Sequence, residues 1–325
     1  MKPCYIILAI TSFVLTISAC KKKDDTLPPT VYVAANTNSG ATLWKNGVAT
    51  NFPDSTNAFS QALFVSGADV YQCGYYGSPL NKATYWKNGV PTYLTNGTTQ
   101  AMALDICVSG TDVHVVGFQS NGSREIALYW KNGVPTVLSN GTFDGRAISI
   151  SVSGSDVYIL IQETNGSTAT ARYWKNGVET ILTDPSLADL HATDMYVHGS
   201  DVYVSGYGDY NMLFTVAKYW KNGVRTNLGA AVYDSKASSI FVSGTDVYVA
   251  GWEGDGTHNM PTCWKNGTAA TVSDGSQNPF VDYIFVHGND VYLAGHQGLR
   301  AKYWKNGVPV ILGAFGSIVS GIVVK

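Results

Sequence analysis

Carboxylates in the least regular parts of the chain are the residues best suited to acid–base chemistry. They are Asp105, Asp194, Glu253, Asp255 and Asp282. A pair of carboxyl groups can act as acid and base in glycoside hydrolysis when their separation suits the reaction. Asp105 and Asp194 occupy equivalent places in two copies of a repeat, which predicts that both approach a common centre. Because scattered acids are also ordinary on a soluble surface, these residues alone favour a function other than catalysis.

Other catalytic and metal-binding signatures are missing from the sequence. The six histidines show no metal-ligand spacing, and there is neither a Gly-x-Ser-x-Gly motif nor a phosphate-cradling loop. Residues 255–259 have the composition of a cation loop, but no twelve-residue Ca²⁺ pattern follows them. We therefore predict no metal site and no cofactor.

The elements that carry these residues belong to a repeat of about 44 residues. Each copy contains short runs rich in β-branched and aromatic residues, separated by turns, and an Asn-Gly pair that fits a two-residue hairpin. Four antiparallel strands per copy, here named A to D, are typical of a propeller blade. We predict an all-β, seven-bladed β-propeller over residues 31–325. The tetrapeptide Trp-Lys-Asn-Gly that marks the copies begins at Trp44, Trp86, Trp130, Trp174, Trp220, Trp264 and Trp304.

The two ends of the repeat region complement each other. The first copy lacks strand A and opens with Val31, whereas residues 320–325 align with strand A of the other copies. We expect the C-terminal strand to complete the N-terminal blade, because this pairing removes two exposed sheet edges. The repeat resembles seven-bladed propellers in layout only. It lacks the signatures of WD40 and kelch repeats and identifies no functional family.

The predicted disc has one uniform face and one variable face. The A–B turn is nearly always Ser-Gly-x-Asp and the C–D turn is always Lys-Asn-Gly, whereas the B–C and D–A loops differ in length and chemistry. We expect the repeated lysines and turn aspartates to pair on the uniform face, and any ligand to bind the variable face.

The variable face carries a set of candidate ligand-binding residues. They directly follow the glycine of strand B and are aromatic or histidine, with Asn36 and Gln162 at the equivalent positions of the other two blades. One interpretation is a ring that stacks on sugars or accepts apolar anchors of a protein. The alternative is that these side chains cap the core between blades. The candidates are Tyr75, Phe118, Tyr207, Trp252 and His296.

The N-terminus is a separate segment. An apolar run from Tyr5 to Ile17 has the length of a signal-peptide core. The motif Ile17-Ser18-Ala19-Cys20 resembles the lipobox of bacterial lipoproteins, which implies a signal peptide over residues 1–19 and a lipid on Cys20. An ordinary secretory signal is the alternative. Residues 20–30 form a charged tether whose Lys/Asp cluster resembles the surface-export tag of certain Gram-negative lipoproteins, although a solvated spacer would look the same.

These observations together predict a lipid-anchored, cell-surface binding or interaction module for a glycan or a protein. The alternatives are a periplasm-facing scaffold or assembly lipoprotein of the outer membrane, and a carbohydrate-active hydrolase or lyase. A formal charge of −2 gives no reason to expect nucleic acid as a partner. We expect a monomer in which Cys73, Cys107 and Cys263 are buried thiols, with a Cys73–Cys107 bridge left open.

Overall fold

The computed structural model describes most of the repeat region and little of the chain before it. The described residues are 28–52, 55–77, 79–166, 168–182, 189–210, 214–229, 232–272, 279–313 and 316–325. The predicted signal peptide, Cys20 and most of the charged tether lie outside these residues, so their assignment stays a prediction. Within the described ranges no helix is long and apolar enough to cross a membrane.

Seven sheets of four antiparallel strands each make up the fold, as the repeat predicts. Blade 1 is β1 (Val31–Thr37), β2 (Gly40–Lys45) and β3 (Val48–Asn51), with β28 (Ile318–Val324) as its innermost strand. Blade 2 is β4 (Ala58–Ser66), β5 (Asp69–Tyr76), β6 (Lys82–Lys87) and β7 (Val90–Tyr93). Blade 3 is β8 (Ala101–Ser109), β9 (Asp112–Ser120), β10 (Glu125–Lys131) and β11 (Val134–Val137). Blade 4 is β12 (Asp144–Ser153), β13 (Asp156–Thr164), β14 (Ala169–Lys175) and β15 (Val178–Leu182).

The remaining blades repeat the same order. Blade 5 is β16 (Leu190–His198), β17 (Asp201–Tyr210), β18 (Phe214–Lys221) and β19 (Val224–Asn227). Blade 6 is β20 (Ser235–Ser243), β21 (Asp246–Gly254), β22 (Asn259–Lys265) and β23 (Thr268–Thr271). Blade 7 is β24 (Pro279–His287), β25 (Asp290–Gln297), β26 (Arg300–Lys305) and β27 (Val308–Ile311). A single 3₁₀ turn, Ser55–Asn57, is the only helical element in the described part of the chain.

The ring closes in the way the sequence predicts. β28 pairs antiparallel with β1, and Ile322 lies opposite Val33. Beyond the strands, Thr30 and Lys325 exchange two backbone hydrogen bonds of 2.7 and 3.0 Å. Blade 1 therefore contains both ends of the repeat region, and its innermost edge is paired like that of every other blade.

Blades are held together by apolar side chains between adjacent sheets. In the interface between blades 5 and 6, Tyr203 and Ala217 pack with Ile240, Val249 and Trp264. Burying such side chains contributes about 1.5–3 kcal/mol each, which is why a single blade cannot be stable alone. The repeat tryptophans belong to this core: Trp44, Trp86, Trp130, Trp220, Trp264 and Trp304 are buried and Trp174 is half-buried.

Each innermost strand contains a β-bulge that shapes the channel. One residue of the innermost strand has no partner on the second strand of the blade. The bulge bends the innermost strand and changes the direction of the side chains that follow. The bulged residues are Gln61, Leu104, Ile148, Thr193, Ser238, Asp282 and Ser320. The residues directly after them line the central channel, and they are Ala62, Asp105, Ser149, Asp194, Ser239, Tyr283 and Gly321.

A glycine on the second strand makes room for the bulge in five blades. A Cβ atom added there would lie between 1.9 and 2.3 Å from a carbonyl oxygen of the innermost strand, which real side chains never allow. The backbone thus requires glycine, and the aromatic candidates follow directly after it. The five residues are Gly74, Gly117, Gly206, Gly251 and Gly295.

Candidate functional site

The uniform face is built from one hydrogen-bonded turn network that recurs around the disc. In blade 2, Asn88 accepts a bond from Val70 N at 2.9 Å and donates to Asp69 at 2.8 Å, and Lys87 Nζ contacts the same carboxylate at 2.8 Å. Asn88 has φ 51°, the left-handed conformation of a type I′ turn. The predicted pairing of lysines and aspartates is confirmed in six blades, at Asp69, Asp112, Asp156, Asp201, Asp246 and Asp290.

Charge on this face is therefore neutralised locally. Hydrogen bonding to lysine lowers the pKa of each of these six turn aspartates. Such exposed pairs contribute little to stability, but they leave no unpaired carboxylate in these six turns. Blade 1 differs because Thr30 replaces the aspartate, so Asn46 keeps only its bond from Val31 N at 2.8 Å.

Asp105 and Asp194 approach the same centre, as their repeat positions predict. Both line the central channel, a cavity of about 410 Å³. The Ser149 hydroxyl lies between them, with its Oγ 3.1 Å from Asp105 Oδ2 and 3.2 Å from Asp194 Oδ1. Ser239 Oγ donates to the other Asp194 oxygen at 2.7 Å. Four consecutive blades, 3 to 6, thus share one chain of polar contacts.

The position of Ser149 between the two acids favours a proton on one of them. A hydroxyl has one hydrogen and can donate to one carboxylate only. Burial raises the pKa of Asp105 to about 7, and the charge of Asp194 adds to this effect. Burial also raises the pKa of Asp194, which Ser239 and two backbone amides oppose. A protonated Asp105 donates to Ser149 Oγ, and Ser149 then donates to Asp194.

These carboxylates tie blades together and leave no oxygen free for a substrate. Ile106 N and Ile150 N donate to Asp105 at 2.7 and 2.8 Å. Met195 N and Ile240 N donate to Asp194 at 2.7 and 3.1 Å. Because Ile150 and Ile240 belong to the next blade in each case, the acids join adjacent innermost strands. The arrangement is that of a structural network and does not resemble two carboxylates facing an open cleft.

The aromatic candidates surround the channel at the variable-face end of the second strands, where they contact neighbouring strands. Tyr75 stacks on Phe59 with ring centroids 4.9 Å apart. Phe118 is only 3% exposed and lies under the Arg146 guanidinium at 4.7 Å. Phe118 therefore packs in the core between blades 3 and 4, as the capping alternative expects.

Tyr207, Trp252 and His296 are half-buried and also engaged. His191 stacks on Tyr207 at 5.0 Å, and the Lys236 ammonium of the next blade lies 4.6 Å from the same ring and 6.0 Å from Trp252. His296 stacks on Phe280 at 5.2 Å, and its Nδ1 lies 3.2 Å from Asp282. The structure gives these residues contacts between strands and blades rather than bare ring faces.

Blades 1 and 4 have Asn36 and Gln162 at the position of the aromatic candidates, and the side-chain amides of both form hydrogen bonds with the next blade. Asn36 exchanges two hydrogen bonds with the backbone of Ser60, at 2.7 and 2.8 Å. Gln162 accepts from Ala192 N at 2.9 Å and contacts His191 Nδ1 at 2.9 Å. Asn36 and Gln162 thus join adjacent blades by hydrogen bonds, at the position where the other five blades have an aromatic residue or histidine.

The other candidate acids do not converge. Asp255 accepts bonds from Thr257 N, Thr257 Oγ and His258 N, each at 2.7 Å, and the bond from Thr257 Oγ contributes most to lowering the Asp255 pKa to about 2. Its loop is an Asx turn. Glu253 lies in β21 beside Trp252. Within the described ranges, no group of three or more His, Cys, Asp or Glu residues is placed to hold a metal ion.

The three cysteines of the propeller are free thiols. Cys73 and Cys107 are buried and Cys263 is half-buried, and no disulfide joins Cys73 to Cys107. Burial raises the pKa of Cys107 and of Cys263 to about 12, so both stay protonated and unreactive near neutral pH.

Solved structures share this architecture at low sequence identity. The β-propeller domain of the Trilobed protease from Pyrococcus furiosus matches with a TM-score of 0.50 and 10% identity, covering 88% of this chain and 94% of that one. TolB from Acinetobacter baumannii gives 0.49 at 12% identity, covering 91% and 83%. The Trypanosoma rangeli sialidase gives 0.48 at 7% identity, covering 79% and 54%. The likeness shows the fold alone.

The chain is thus a seven-bladed β-propeller of four-stranded blades, joined into a ring by its C-terminal strand. No protein-family model matches it, and no curated protein matches it. Its function has to be argued from its own surface.

Proposed function

We propose that this propeller is a binding module that captures its ligand on the variable face. The distribution of exposed apolar side chains carries the proposal. In the described residues, large exposed hydrophobic side chains form two groups. One lies on the outermost strands and includes six valines that directly follow uniform-face turns and recur from blade to blade. The other lies at the variable face and includes aromatic residues, a class enriched among the residues that contribute most binding energy at protein interfaces. The members of this second group are Phe59, Leu80, Phe143, Val232, Tyr233, Leu299 and Ile318.

The point at which the tether joins the propeller supports an orientation in which the variable face points away from the membrane. Thr30 takes the place of a turn aspartate, so the chain enters the propeller from the uniform face. If Cys20 carries a lipid, at most about ten residues separate that lipid from the disc, roughly 35 Å when fully extended. The uniform face would then look toward the membrane and the variable face away from it. This geometry favours capture of a ligand that approaches from outside.

Site-specific photo-crosslinking in cells that produce the protein tests the binding face. A benzophenone amino acid at Leu80 or Phe143 reports on the variable face. The same probe at Val134 or Val178, which are exposed on outermost strands directly after the uniform-face turns, is the matched control. Benzophenone inserts into C–H bonds, so it captures glycans as well as proteins. We expect adducts from the first pair only, and equal adducts from both pairs, or none from the first, would refute the proposal.

Proteinase treatment of intact cells separates the two locations compatible with a lipid anchor. A surface-exposed outer-membrane lipoprotein is degraded by added proteinase, which the Lys/Asp cluster after Cys20 favours. A periplasm-facing scaffold is degraded only after the outer membrane is opened. We propose the surface location, and protection of the protein in intact cells would contradict it. The channel carboxylates offer no support for a hydrolase, because their oxygens are all engaged.

A further inference from the structure

An aromatic-walled cleft lies on the variable face where blades 5, 6 and 7 meet. Its volume is about 560 Å³, within the range of about 300–1,000 Å³ typical of small-molecule sites. Its walls are Phe214 at the start of β18, Tyr233 in the loop before β20, and Phe280 in β24. We name it the blade 5–7 cleft. None of these residues belongs to the aromatic set that the repeat pattern singles out.

The aromatic walls are open to a ligand. Tyr233 is 46% exposed, and its ring rests against Gly256, where an added Cβ would approach the ring to 2.8 Å. Phe280 stacks on His296, which fixes its ring. In the described part of the chain, no other aromatic ring stacks on Phe214 or Tyr233, in contrast to Tyr75 and Tyr207.

Polar groups with unused hydrogen-bonding capacity complete the cleft. Asp234 uses Oδ1 to accept from Thr215 N at 2.8 Å, and no described residue bonds its Oδ2. His258 Nδ1 contacts Thr257 Oγ at 2.8 Å, which leaves Nε2 without a partner among the described residues. The Asn259 amide likewise has none there. The Asx turn of Asp255 holds this loop in place before any ligand arrives.

Two other cavities on the described surface contain ion pairs of their own. A cavity of about 530 Å³ between blades 3, 4 and 5 contains Arg146, which is paired with Glu125. A cavity of about 430 Å³ contains Arg172 between Glu163 and Glu179. The blade 5–7 cleft differs because its lining includes one carboxylate and neither lysine nor arginine.

We propose that the blade 5–7 cleft binds a neutral saccharide. The inference rests on the proposed function, since it names the ligand class for the same face. The apolar C–H face of a pyranose ring packs on aromatic side chains, as Tyr233, Phe214 and Phe280 permit. Its hydroxyl groups donate to Asp234 and exchange hydrogen bonds with Asn259 and His258. An acidic sugar is disfavoured because Asp234 has no cation beside it in the lining.

Calorimetric titration of the full chain, purified in detergent micelles, tests this proposal. The probes are neutral hexasaccharides of β-1,4-glucose, β-1,3-glucose, β-1,4-mannose, β-1,4-xylose and β-1,4-N-acetylglucosamine, with a hexuronate oligosaccharide as the charged comparison. We expect at least one neutral probe to bind, with an affinity unchanged by 0.5 M salt because no ion pair is formed.

Variants locate the binding in the cleft. Tyr233→Ala and Asn259→Ala should each weaken binding about tenfold or more, the equivalent of losing about 1.4 kcal/mol. Tyr233→Phe should retain most of the affinity because it keeps the ring. Tyr93→Ala is the matched control, since Tyr93 is 50% exposed on the outermost strand β7, far from the cleft in the fold. Unchanged thermal unfolding of each variant shows that folding is intact.

The possible outcomes separate the inference from the proposed function. Failure of every neutral probe to bind, tighter binding of the hexuronate, or equal affinity of Tyr233→Ala and the parent chain would each overturn the saccharide site. If the variable-face crosslinks still form in any of these cases, the binding face stands and only the ligand class is wrong. If the crosslinks also fail, both are wrong.

Discussion

The Ser149 bridge makes the stability of this propeller depend on a buried proton, and Asp105→Asn tests that dependence. In the unfolded chain Asp105 ionises near its ordinary pKa of 3.8, whereas burial in the channel raises the pKa to about 7. Between these two values the folded protein retains a proton that the unfolded chain has lost. The contribution of Asp105 to stability is therefore greatest below about pH 4 and is lost as the pH rises toward about 7.

The size of the effect follows from the same two pKa values. One pKa unit corresponds to about 1.4 kcal/mol, so the free energy of unfolding should fall by up to about 4 kcal/mol across this range. The other titratable groups facing Asp105 are Asp194, Cys73, Cys107 and Tyr283. Burial raises the pKa of Cys73, of Cys107 and of Tyr283, so all three remain neutral throughout the range. Burial raises the pKa of Asp194 too, which changes stability with pH in the same direction.

Asparagine at position 105 removes the titrating group but cannot reproduce its bonds. Its amide nitrogen can donate to Ser149, but it then takes the place of Oδ2 and faces the backbone donor Ile150 N, from which the carboxyl accepts. Losing one such bond costs about 1–3 kcal/mol. We therefore expect the variant to be less stable than the parent at about pH 4.5 and to approach or exceed its stability at about pH 8.

Urea unfolding followed by tryptophan fluorescence at several pH values measures this directly. The control is Asp112→Asn on the uniform face, where hydrogen bonding to Lys131 lowers the pKa. That carboxylate stabilises the fold above its unfolded pKa, so its loss should matter little to the slope between pH 5 and 7. A parent protein whose stability is flat or rises from pH 5 to 7, or an Asp105→Asn variant with the parent slope, would refute the shared proton.

Three further changes address the bulge, the turn network and the anchor. Gly251→Ala places a Cβ 2.0 Å from the Lys236 carbonyl oxygen, so urea unfolding should show a loss of about 1–3 kcal/mol, and a loss under about 0.5 kcal/mol would contradict the steric account. Thr30→Asp supplies Lys45 with a carboxylate partner and should raise the midpoint of thermal unfolding slightly in low salt, with the gain vanishing in 1 M salt; a salt-independent gain would contradict this account. Cys20→Ala should abolish labelling by radioactive palmitate and release the protein from the membrane fraction, and retention in that fraction would disprove the lipid anchor.

Periodic features of this molecule are predictable from sequence because each copy confirms the others. The blade pattern recurs seven times and the pairing of turn lysines with aspartates six times, and the ring closure follows from the strand that the first copy lacks and residues 320–325 supply. The channel position of Asp105 and Asp194 follows from the same alignment. The aromatic candidates are also visible when the repeats are aligned. The extent to which they are buried is not, because it depends on the backbone geometry at the bulge.

Sites formed by residues that differ from blade to blade cannot be recognised from the repeat pattern. Ser149 lies between two acids about 45 positions away on either side, and nothing in its own repeat marks it as a bridge. The blade 5–7 cleft combines Phe214, Tyr233 and Phe280 from loops and strands of differing length. Its aromatics fall at no common repeat position, so only the three-dimensional arrangement brings them together. The lipobox at Cys20 stays a prediction because it lies outside the described residues.

Pairing of β28 with β1 also sets the order in which the molecule can mature. β28 follows the strands of all seven sheets in the chain, so blade 1 lacks its innermost strand until the other six blades have been synthesised. Until then the exposed edge of β1 is a template on which another nascent chain can add. A protease cut ahead of Ile318 would remove this partner and leave the edge of β1 exposed.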